Sequence, residues 1–366
     1  MRSPAGFKGP YKRLVNRTRD KSRAKAFQLW VESDVDRHMA RLLATGDVRP
    51  LPEREVRRIR DYARDVFGDA AWSPWLHFYA VWNGSFREGW VPEDYFQSVA
   101  IPFLNGAYHK ICQARTLQRR LLGDASMPDI GYFVGGEWFD VSGARVSRGC
   151  VPGMLFGEAA NEVCLKAEHT IWGRGVTFET RESFDLDRVE RQGNFAVQQV
   201  IRQAEWFDPL SPAAVATIRV ATGKVAGAAP QLVGAFVRLG FGDARAIGKD
   251  SVEVPILDAA GTLAPFAVDD DWRRIPRHPE TGQAFDGLVL PEYPRIIGHC
   301  LALHDRLPQF GFIGWDAVLD ASGAVKVMEF NTAHPETRLI EMALGPCFGA
   351  FGLERYKEMT RKDVWS

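Results

Sequence analysis

The chain has little that would commit it to the cell exterior, a membrane or a nucleic acid. Its five cysteines, Cys112, Cys150, Cys164, Cys300 and Cys347, are odd in number, widely spread and form no CxxC pair, which argues against a disulfide framework or a zinc site and fits free thiols in a reducing cytosol. Net charge is absent too, with 46 Lys plus Arg against 46 Asp plus Glu, so no global field selects polyanions or lipid surfaces. No uncharged apolar run approaches the roughly 18 residues that suggest a membrane span, and the first residues lack the apolar centre of a secretory signal. The expected location is the cytoplasm, with no membrane span. Repeats of roughly 20 to 50 residues are also missing. One local exception is the N-terminal stretch "MRSPAGFKGPYKRLVNRTRDKSRAK", with nine Lys or Arg against the single acid Asp20. Such an arm leaves RNA or an anionic lipid open as a partner, although a solvated arm is the plainer reading and a nucleic-acid role is not expected.

What is present is enough apolar material for two or three packed units, 46% of 366 residues. Phe27, Val31, Val35, Met39 and Leu42 recur at helical spacing, as do Val56, Ile59, Ala63, Val66 and Phe67. The stretch 72–96 holds four of the eleven tryptophans, which reads as packing between helices before it reads as a binding platform. "PEDYFQSVAIPFLN" and "YHKICQARTLQRRLL" predict further helices, so residues 1–125 are expected to be a mainly helical region carrying the basic arm. After Met127 the texture changes to short strands with Gly-rich turns and longer strands at 195–201, 213–223 and 230–240, an α+β pattern. "DAAGTLAPFAVDDDWRRIPRHPETGQAFDG" reads as a long loop of the kind that covers a site, and "LPEYPRIIGHCLALHDRLPQ" restores a helix.

The chemistry concentrates in "FIGWDAVLDASGAVKVMEFN". Two apolar strands flank Asp320-Ala321-Ser322-Gly323, a turn-forming cluster, which predicts an antiparallel hairpin. With Asp320 opposite Gly323, Asp316 would face Val327, and strict alternation would put Val327, Glu329 and Asn331 on the face of Asp316. Two carboxylates and an amide oxygen would then converge. Ionised carboxylates at close range need a compensating cation, and an oxygen-only set of this kind suits Mg²⁺ held together with a nucleotide's phosphates. A solvated hairpin with chance acids and a metal without nucleotide are the competing readings.

If a nucleotide is present, "VCLKAEHTIWGRGVTF" offers its phosphate ligands: Lys166 on a strand, then Gly173 and Gly175 around Arg174, then a second strand opening at Val176. Glycines let backbone N–H groups approach phosphate oxygens, and the loop lies between strands, so it is not a Walker motif. A hairpin with a cationic tip explains the same residues. In "FAVQQVIRQAEWF", the edge formed by Gln198, Gln199, Val200 and Ile201 would read an adenine and Glu205 would take ribose hydroxyls, while ordinary strand pairing explains the apolar residues equally well.

The order of these parts, a lysine with a Gly-rich hairpin, a linker strand, then Asp316 and thirteen residues later Glu329-x-Asn331, resembles the ATP-grasp superfamily. "VATIRV", "RHPETGQAF" and "GFIGWDAVL" resemble its sugar-transfer-associated branch, over about residues 100–345. The resemblance implies an α+β ATP-grasp fold, two lobes clamping ATP, with a small lobe at 126–200, a large lobe at 201–366 and the helical region ahead of them. It implies that Lys166 holds the α/β phosphates, Gly173, Arg174, Gly175 and Val176 cover the triphosphate, Gln198, Gln199, Val200 and Ile201 border adenine, Glu205 binds ribose, and Asp316, Glu329 and Asn331 hold Mg²⁺. Arg115 stands where many relatives carry an upstream lysine, and Gly314 stands where D-alanine-ligase-like members carry an arginine. Arg219, Arg238 or Arg338 would replace that arginine in space, unless each is simply a buried ion pair. His278 and His334 are candidates for contacting a phosphate, oxyanion or substrate, or equally for loop packing. The expected activity is an ATP-dependent carboxylate–amine ligase that passes through an acyl phosphate, with Arg219 or Arg238, Lys166 and His278 as catalytic candidates and small-molecule acid and amine substrates, in glycan, surface-polymer or specialised-metabolite biosynthesis. The alternatives are a sugar or polyol kinase on the same fold and a non-catalytic nucleotide-binding module.

Overall fold

The computed structural model describes residues 31–358 apart from 124–125, 158–159, 171–174, 226, 244 and 249. The basic arm and, within the Gly-rich loop, Gly173 and Arg174 lie outside the described residues. Packing divides the chain into two units, the first ending at Phe86 and the second starting at Arg87.

In the first unit a helix through 31–44 (α1), α2 (Glu53–Phe67) and α3 (Ser73–Asn83) form a small bundle. The apolar stripe read from the sequence is the buried one: Val31, Val35 and Leu42 on α1, and Ile59, Ala63 and Phe67 on α2. Gly68 ends α2 in the left-handed conformation, φ 86°, its N–H returning to the Arg64 carbonyl. Trp75 and Trp82 are buried, with Trp75 edge-on to Phe78 at 5.5 Å, so these indoles are core.

The second unit opens with α4 (Glu93–Tyr95), a π turn (Phe96–Ala100), α5 (Ile101–Asn105), a 3₁₀ run (Gly106–Gln113) and α6 (Arg115–Leu122). The sequence predicts longer helices here. Pro102 cannot donate to the carbonyl four residues back, and the helical path adjusts through the π turn just before it.

Two antiparallel sheets follow. The small one has six strands in the order β3-β2-β1-β6-β4-β5, built from β1 (Asp129–Val134), β2 (Glu137–Asp140), β3 (Arg145–Val146), β4 (Glu162–Ala167), β5 (Val176–Thr180) and β6 (Phe195–Gln199). Val163, Leu165, Phe195 and Val197 point to a core closed by α7 (Val151–Phe156) and by Val189 of α8 (Leu186–Glu190). Cys164, Lys166 and Gln198 take the other face by alternation.

The large sheet has seven strands in the order β11-β10-β9-β8-β7-β12-β13: β7 (Thr217–Gly223), β8 (Gln231–Gly240), β9 (Ser251–Pro255), β10 (Ala267–Val268), β11 (Arg274–Ile275), β12 (Phe312–Leu319) and β13 (Val325–Asn331). Ile218, Val220, Val237, Ile313, Trp315, Ala317, Val327 and Phe330 pack on Ile296, Cys300 and Leu303 of α9 (Tyr293–Asp305). A buried polar chain fastens that helix: Trp315 Nε1 donates to Thr222 Oγ1 at 2.8 Å, Thr222 Oγ1 meets His304 Nδ1 at 2.7 Å, and His304 Nε2 reaches the Phe310 carbonyl at 3.0 Å. Burial lowers the His304 pKa to about 4, so the ring is neutral and the chain of donors and acceptors closes. No helix among the described residues is long and apolar enough to cross a membrane.

Asn105 closes the open end of the β12–β13 hairpin. Its amide nitrogen donates to the Phe312 and Thr332 carbonyls, each at 2.8 Å, and its oxygen accepts from Gly311 N at 2.9 Å and Phe312 N at 3.0 Å. It is buried, so truncation takes a partner from four backbone groups, of which Gly311 N keeps the Leu104 carbonyl at 3.0 Å. Asn105→Ala is expected to cost at least about 2 kcal/mol in urea unfolding; a loss under about 0.5 kcal/mol, the usual range for a surface change, would show that water replaces the side chain.

Candidate functional site

The hairpin turn is one residue longer than the sequence predicts. Asp320 N donates to the Ala324 carbonyl at 2.9 Å and Leu319 pairs with Val325, so Asp320 lies opposite Ala324 rather than Gly323. A second departure follows: Ala317 pairs with Val327 but Asp316 pairs with Glu329, leaving Met328 as a one-residue bulge. Uninterrupted, the pairing would set Glu329 opposite Trp315, on the core face. The bulge reverses the alternation, so Val327 and Phe330 stay in the core while Glu329 and Asn331 join Asp316 on the opposite face. The expected placement of Val327 beside the acids is therefore corrected, and the convergence of Asp316, Glu329 and Asn331 stands through a different register. Asn331 Nδ2 lies 3.4 Å from Asp316 Oδ2 and 3.3 Å from Glu329 Oε1.

Met328's carbonyl is taken by the small sheet: Lys166 Nζ lies 3.4 Å from it and Gln198 Nε2 lies 3.1 Å away. Gln198 also donates to Asp129 Oδ1 at 2.7 Å. Because β13 is the edge strand, its outer side needs partners, and Gln118 of α6 supplies them by accepting from Phe330 N at 3.0 Å and donating toward the Phe330 carbonyl at 3.5 Å.

Each acid is matched by a guanidinium. Arg219 sits opposite Asp316 on β7 and grips both its oxygens, Nε to Oδ1 at 2.7 Å and Nη2 to Oδ2 at 3.2 Å, while Nη1 donates to the Pro335 carbonyl at 2.8 Å. Arg115, the first residue of α6, pairs with Glu329 and reaches the Thr170 carbonyl at 3.2 Å. Burial alone would raise the Glu329 carboxyl, but Arg115, backed by Lys166 and Arg219, pulls it down to about 2. Arg238 lies one strand further out on β8, with Nε 3.1 Å from Glu253 and Nη2 on Glu336.

Gly314 has a steric reason. A Cβ there would stand 2.9 Å from the Pro335 carbonyl oxygen and 3.0 Å from its Cα, because the chain leaving β13 returns across the sheet at this point. A larger side chain does not fit, and the guanidinium beside Asp316 comes from the neighbouring strand.

The other expected site residues are spread around this centre. Gly175 is left-handed, φ 80°, its carbonyl accepting from Ala167 N at 2.9 Å, and Val176 opens β5 opposite Lys166. Gln199 ends β6; Val200 is 38% exposed and, with half-buried Ile201, carries the chain from one sheet to the other. Glu205 is exposed at the start of a 3₁₀ turn after that linker. His278 is not brought to the acids: it is buried against Phe241 at 6.3 Å and accepts from Thr281 N at 3.3 Å, and burial lowers its pKa so that the ring is neutral. His334 is exposed. Asn105, Gln118 and Glu336 carry no signal in the sequence, since each acts on residues far away in the chain.

Among the described residues no three His, Cys, Asp or Glu side chains gather as a metal site. Two carboxylates plus an amide that can present oxygen is the sparse, hard-oxygen set that suits Mg²⁺ sharing its shell with phosphates and water, so the residues fit that ion.

Two α+β lobes, joined by an exposed linker and facing a bulged Asp…Glu-x-Asn hairpin, define a protein of the ATP-grasp class. Residues 155–351, more than half of the chain, match the family described as sugar-transfer associated ATP-grasp, and the chain belongs to it. Among solved structures, the ATP-grasp ligase PsnB complexed with minimal precursor is 14% identical over 69% of this chain and 64% of its own, with a TM-score of 0.39. The D-alanine-D-alanine ligase from Coxiella burnetii is 12% identical over 72% and 62%, with a TM-score of 0.39. Biotin carboxylase from Campylobacter jejuni is 13% identical over 69% and 46%, with a TM-score of 0.41. The chain thus spans less than two thirds of the length of each of these structures. No curated protein matches the sequence.

Two measurements follow. Gly314→Ala should destabilise by about 1–3 kcal/mol, the usual cost of overpacking, because the clash is with backbone; unchanged thermal unfolding would mean that the returning segment yields. Glu329, and likewise Glu336, lie at about 2 against an ordinary 4.5, so each stabilises the fold fully above pH 4.5 and loses that contribution as pH falls toward 2. Stability should therefore drop across that window by at most about 1.4 kcal/mol per pH unit for each group, and less steeply in Glu329→Gln; an equal slope in that variant would remove Glu329 from the account.

Proposed function

We propose that this chain is an ATP-dependent ligase that joins a carboxylate to an amine through an acyl phosphate. The observation that carries the reading is the convergence of Asp316, Glu329 and Asn331 on one sheet face, bounded by Arg115 and Lys166. Lys166 and Arg115 would hold the phosphate oxygens, with Gly173, Arg174, Gly175 and Val176 covering the triphosphate. Gln198, Gln199, Val200 and Ile201 would border the adenine, and Glu205 would take the ribose hydroxyls. Magnesium, held by Asp316, Glu329 and the Asn331 oxygen, would neutralise charge on the transferring phosphoryl oxygens.

A carboxylate's charge and resonance resist attack at carbon, so activation comes first. Its oxygen attacks the γ-phosphorus while the bond to the bridging oxygen breaks and that electron pair leaves on ADP. The amine nitrogen then adds to the acyl carbon, loses a proton, and phosphate departs. Arg219 and Arg238 would stabilise the oxyanion of that addition, since fixed positive groups in a water-poor site act most strongly where charge develops. His278 is assigned no step. The family's link to sugar transfer favours an acid or amine carried on a sugar, and the ATP requirement with free thiols favours a cytoplasmic setting.

The test is turnover of Mg·ATP against paired panels of uronic acids and amino compounds. ADP plus phosphate should appear only when both an acid and an amine are supplied, and hydroxylamine with the acid alone should yield a hydroxamate. Asp316→Asn and Glu329→Gln should each slow turnover by about 100-fold or more. A phosphorylated hydroxyl product without hydroxamate would identify a kinase instead.

A further inference from the structure

Three guanidiniums from three elements meet on one carboxylate beside the acid pair. Glu336 accepts from Arg238 of β8, lies 3.7 Å from Nη1 of Arg219 on β7, and lies 3.4 Å from Nη2 of Arg338, which opens α10 (Arg338–Leu344). The arginines are more deeply set than the acid they share, with side-chain exposures of 4%, 13% and 25% for Arg219, Arg238 and Arg338 against 30% for Glu336. Burial would raise the Glu336 carboxyl, yet the three arginines hold it at about 2, so it is ionised under all ordinary conditions.

Two features set Glu336 apart from a plain counter-ion. Arg219 and Arg238 already own carboxylate partners, Asp316 and Glu253, so Glu336 is an additional anion in a seat of converging donors. Its backbone is left-handed, φ 58°, a conformation that is strained for a residue with a Cβ and is held only by its surroundings. Arg219 joins this seat directly to Asp316, so an anion in the place of the Glu336 carboxylate would lie next to the face proposed to carry the metal.

We propose that Glu336 is an internal stand-in for the acid substrate: its carboxylate fills the three-arginine seat while the substrate is away, and the substrate's carboxylate displaces it. This rests on the ligase reading, which requires a carboxylate substrate at that point. The seat then takes the acid in a preformed donor array, and the acid must compete with the protein's own side chain, which weakens binding of monoanions that bring no further contacts. Discrimination between acids follows, since only a substrate with additional contacts gains enough to evict Glu336.

The experiment uses the full chain, with and without saturating Mg·ADP at the phosphate ligands, and succinate as the probe in isothermal titration calorimetry. Glu336→Gln should bind succinate about tenfold more tightly than the wild type, the factor by which a self-competing group reduces apparent affinity. Adding Arg238→Gln to that variant should abolish the gain. Succinate binding that is unchanged or weaker in Glu336→Gln would overturn the proposal and make Glu336 a scaffold for the arginines. Glu336→Gly, which relieves the left-handed backbone, provides a second variant with the same expected gain; loss of the fold in both would also overturn it, because an occupant that substrate displaces cannot be one the fold requires. Affinity for Mg·ADP, measured in the same titrations, tests the nucleotide reading separately: if it fails while Glu336→Gln still gains succinate affinity, the seat stands and the ligase does not.

Discussion

One extra residue, Met328, decides what the large sheet presents to its two sides. A strand with regular alternation cannot send Val327 and Phe330 into the core and Glu329 and Asn331 out of it; the bulge does so by reversing the side-chain sequence at one point. The carbonyl at that point, in the bulged stretch, carries donors from the other sheet, Lys166 and Gln198. The same irregularity therefore brings Glu329 and Asn331 to the face of Asp316, opposite the core, and fastens a cationic strand beside them. A regular hairpin would bury Glu329 against Trp315 without a cation, and an unpaired ionised carboxylate in such a core is too costly to persist.

Electrostatics account for why the acids tolerate one another. Asp316 is gripped by Arg219 and Glu329 by Arg115, with Asn331 donating to both. Taking charges out of water is favourable only when partners and geometry compensate, and here each carboxylate has a dedicated guanidinium from a different element. In the proposed reaction a divalent ion would take over that compensation, which would leave Arg115 and Arg219 to neutralise phosphate and acyl oxygens. Positive charge would then pass from protein acids to substrate anions with little change in the total. Such an exchange suits an interior where isolated charge is expensive and paired charge is not.

Much of the centre was legible from residue order, and the reason lies in turn chemistry and periodicity. Asp320 to Gly323 marks the hairpin, and alternation restricts Asp316, Glu329 and Asn331 to few arrangements. The register itself was not legible. The turn is longer by one residue and the bulge adds one more, and the two offsets cancel in parity, so the acids share a face although Val327 does not. Nothing in "KVMEFN" distinguishes a bulged strand from a regular one, since the cause is the demand of Lys166 and Gln198 for an acceptor and of Trp315 for an apolar neighbour. Asn105, Gln118 and Glu336 were hidden for a related reason: each satisfies partners that sequence spacing does not bring near. The tryptophans of α3 and the stripe of α2 were readable because helical packing needs only local spacing.

The edge position of β13 limits what its irregularity disturbs; the interior pair β7–β8 carries a register shift of its own, between Ala221 and Thr222. A bulge between two neighbours would break ladders on both sides, whereas at an edge it disturbs one ladder and leaves the other side for side chains to complete. Gln118 does this at Phe330, and Lys166 and Gln198 do it at Met328. These partners come from α6 and from the small sheet, so completing the edge also determines how the small sheet stands against the hairpin. An edge that would otherwise invite another strand is spent on holding the two sheets in register. The geometry of the acid face and the junction of the sheets are thus one structural feature, and a change at either is felt at both.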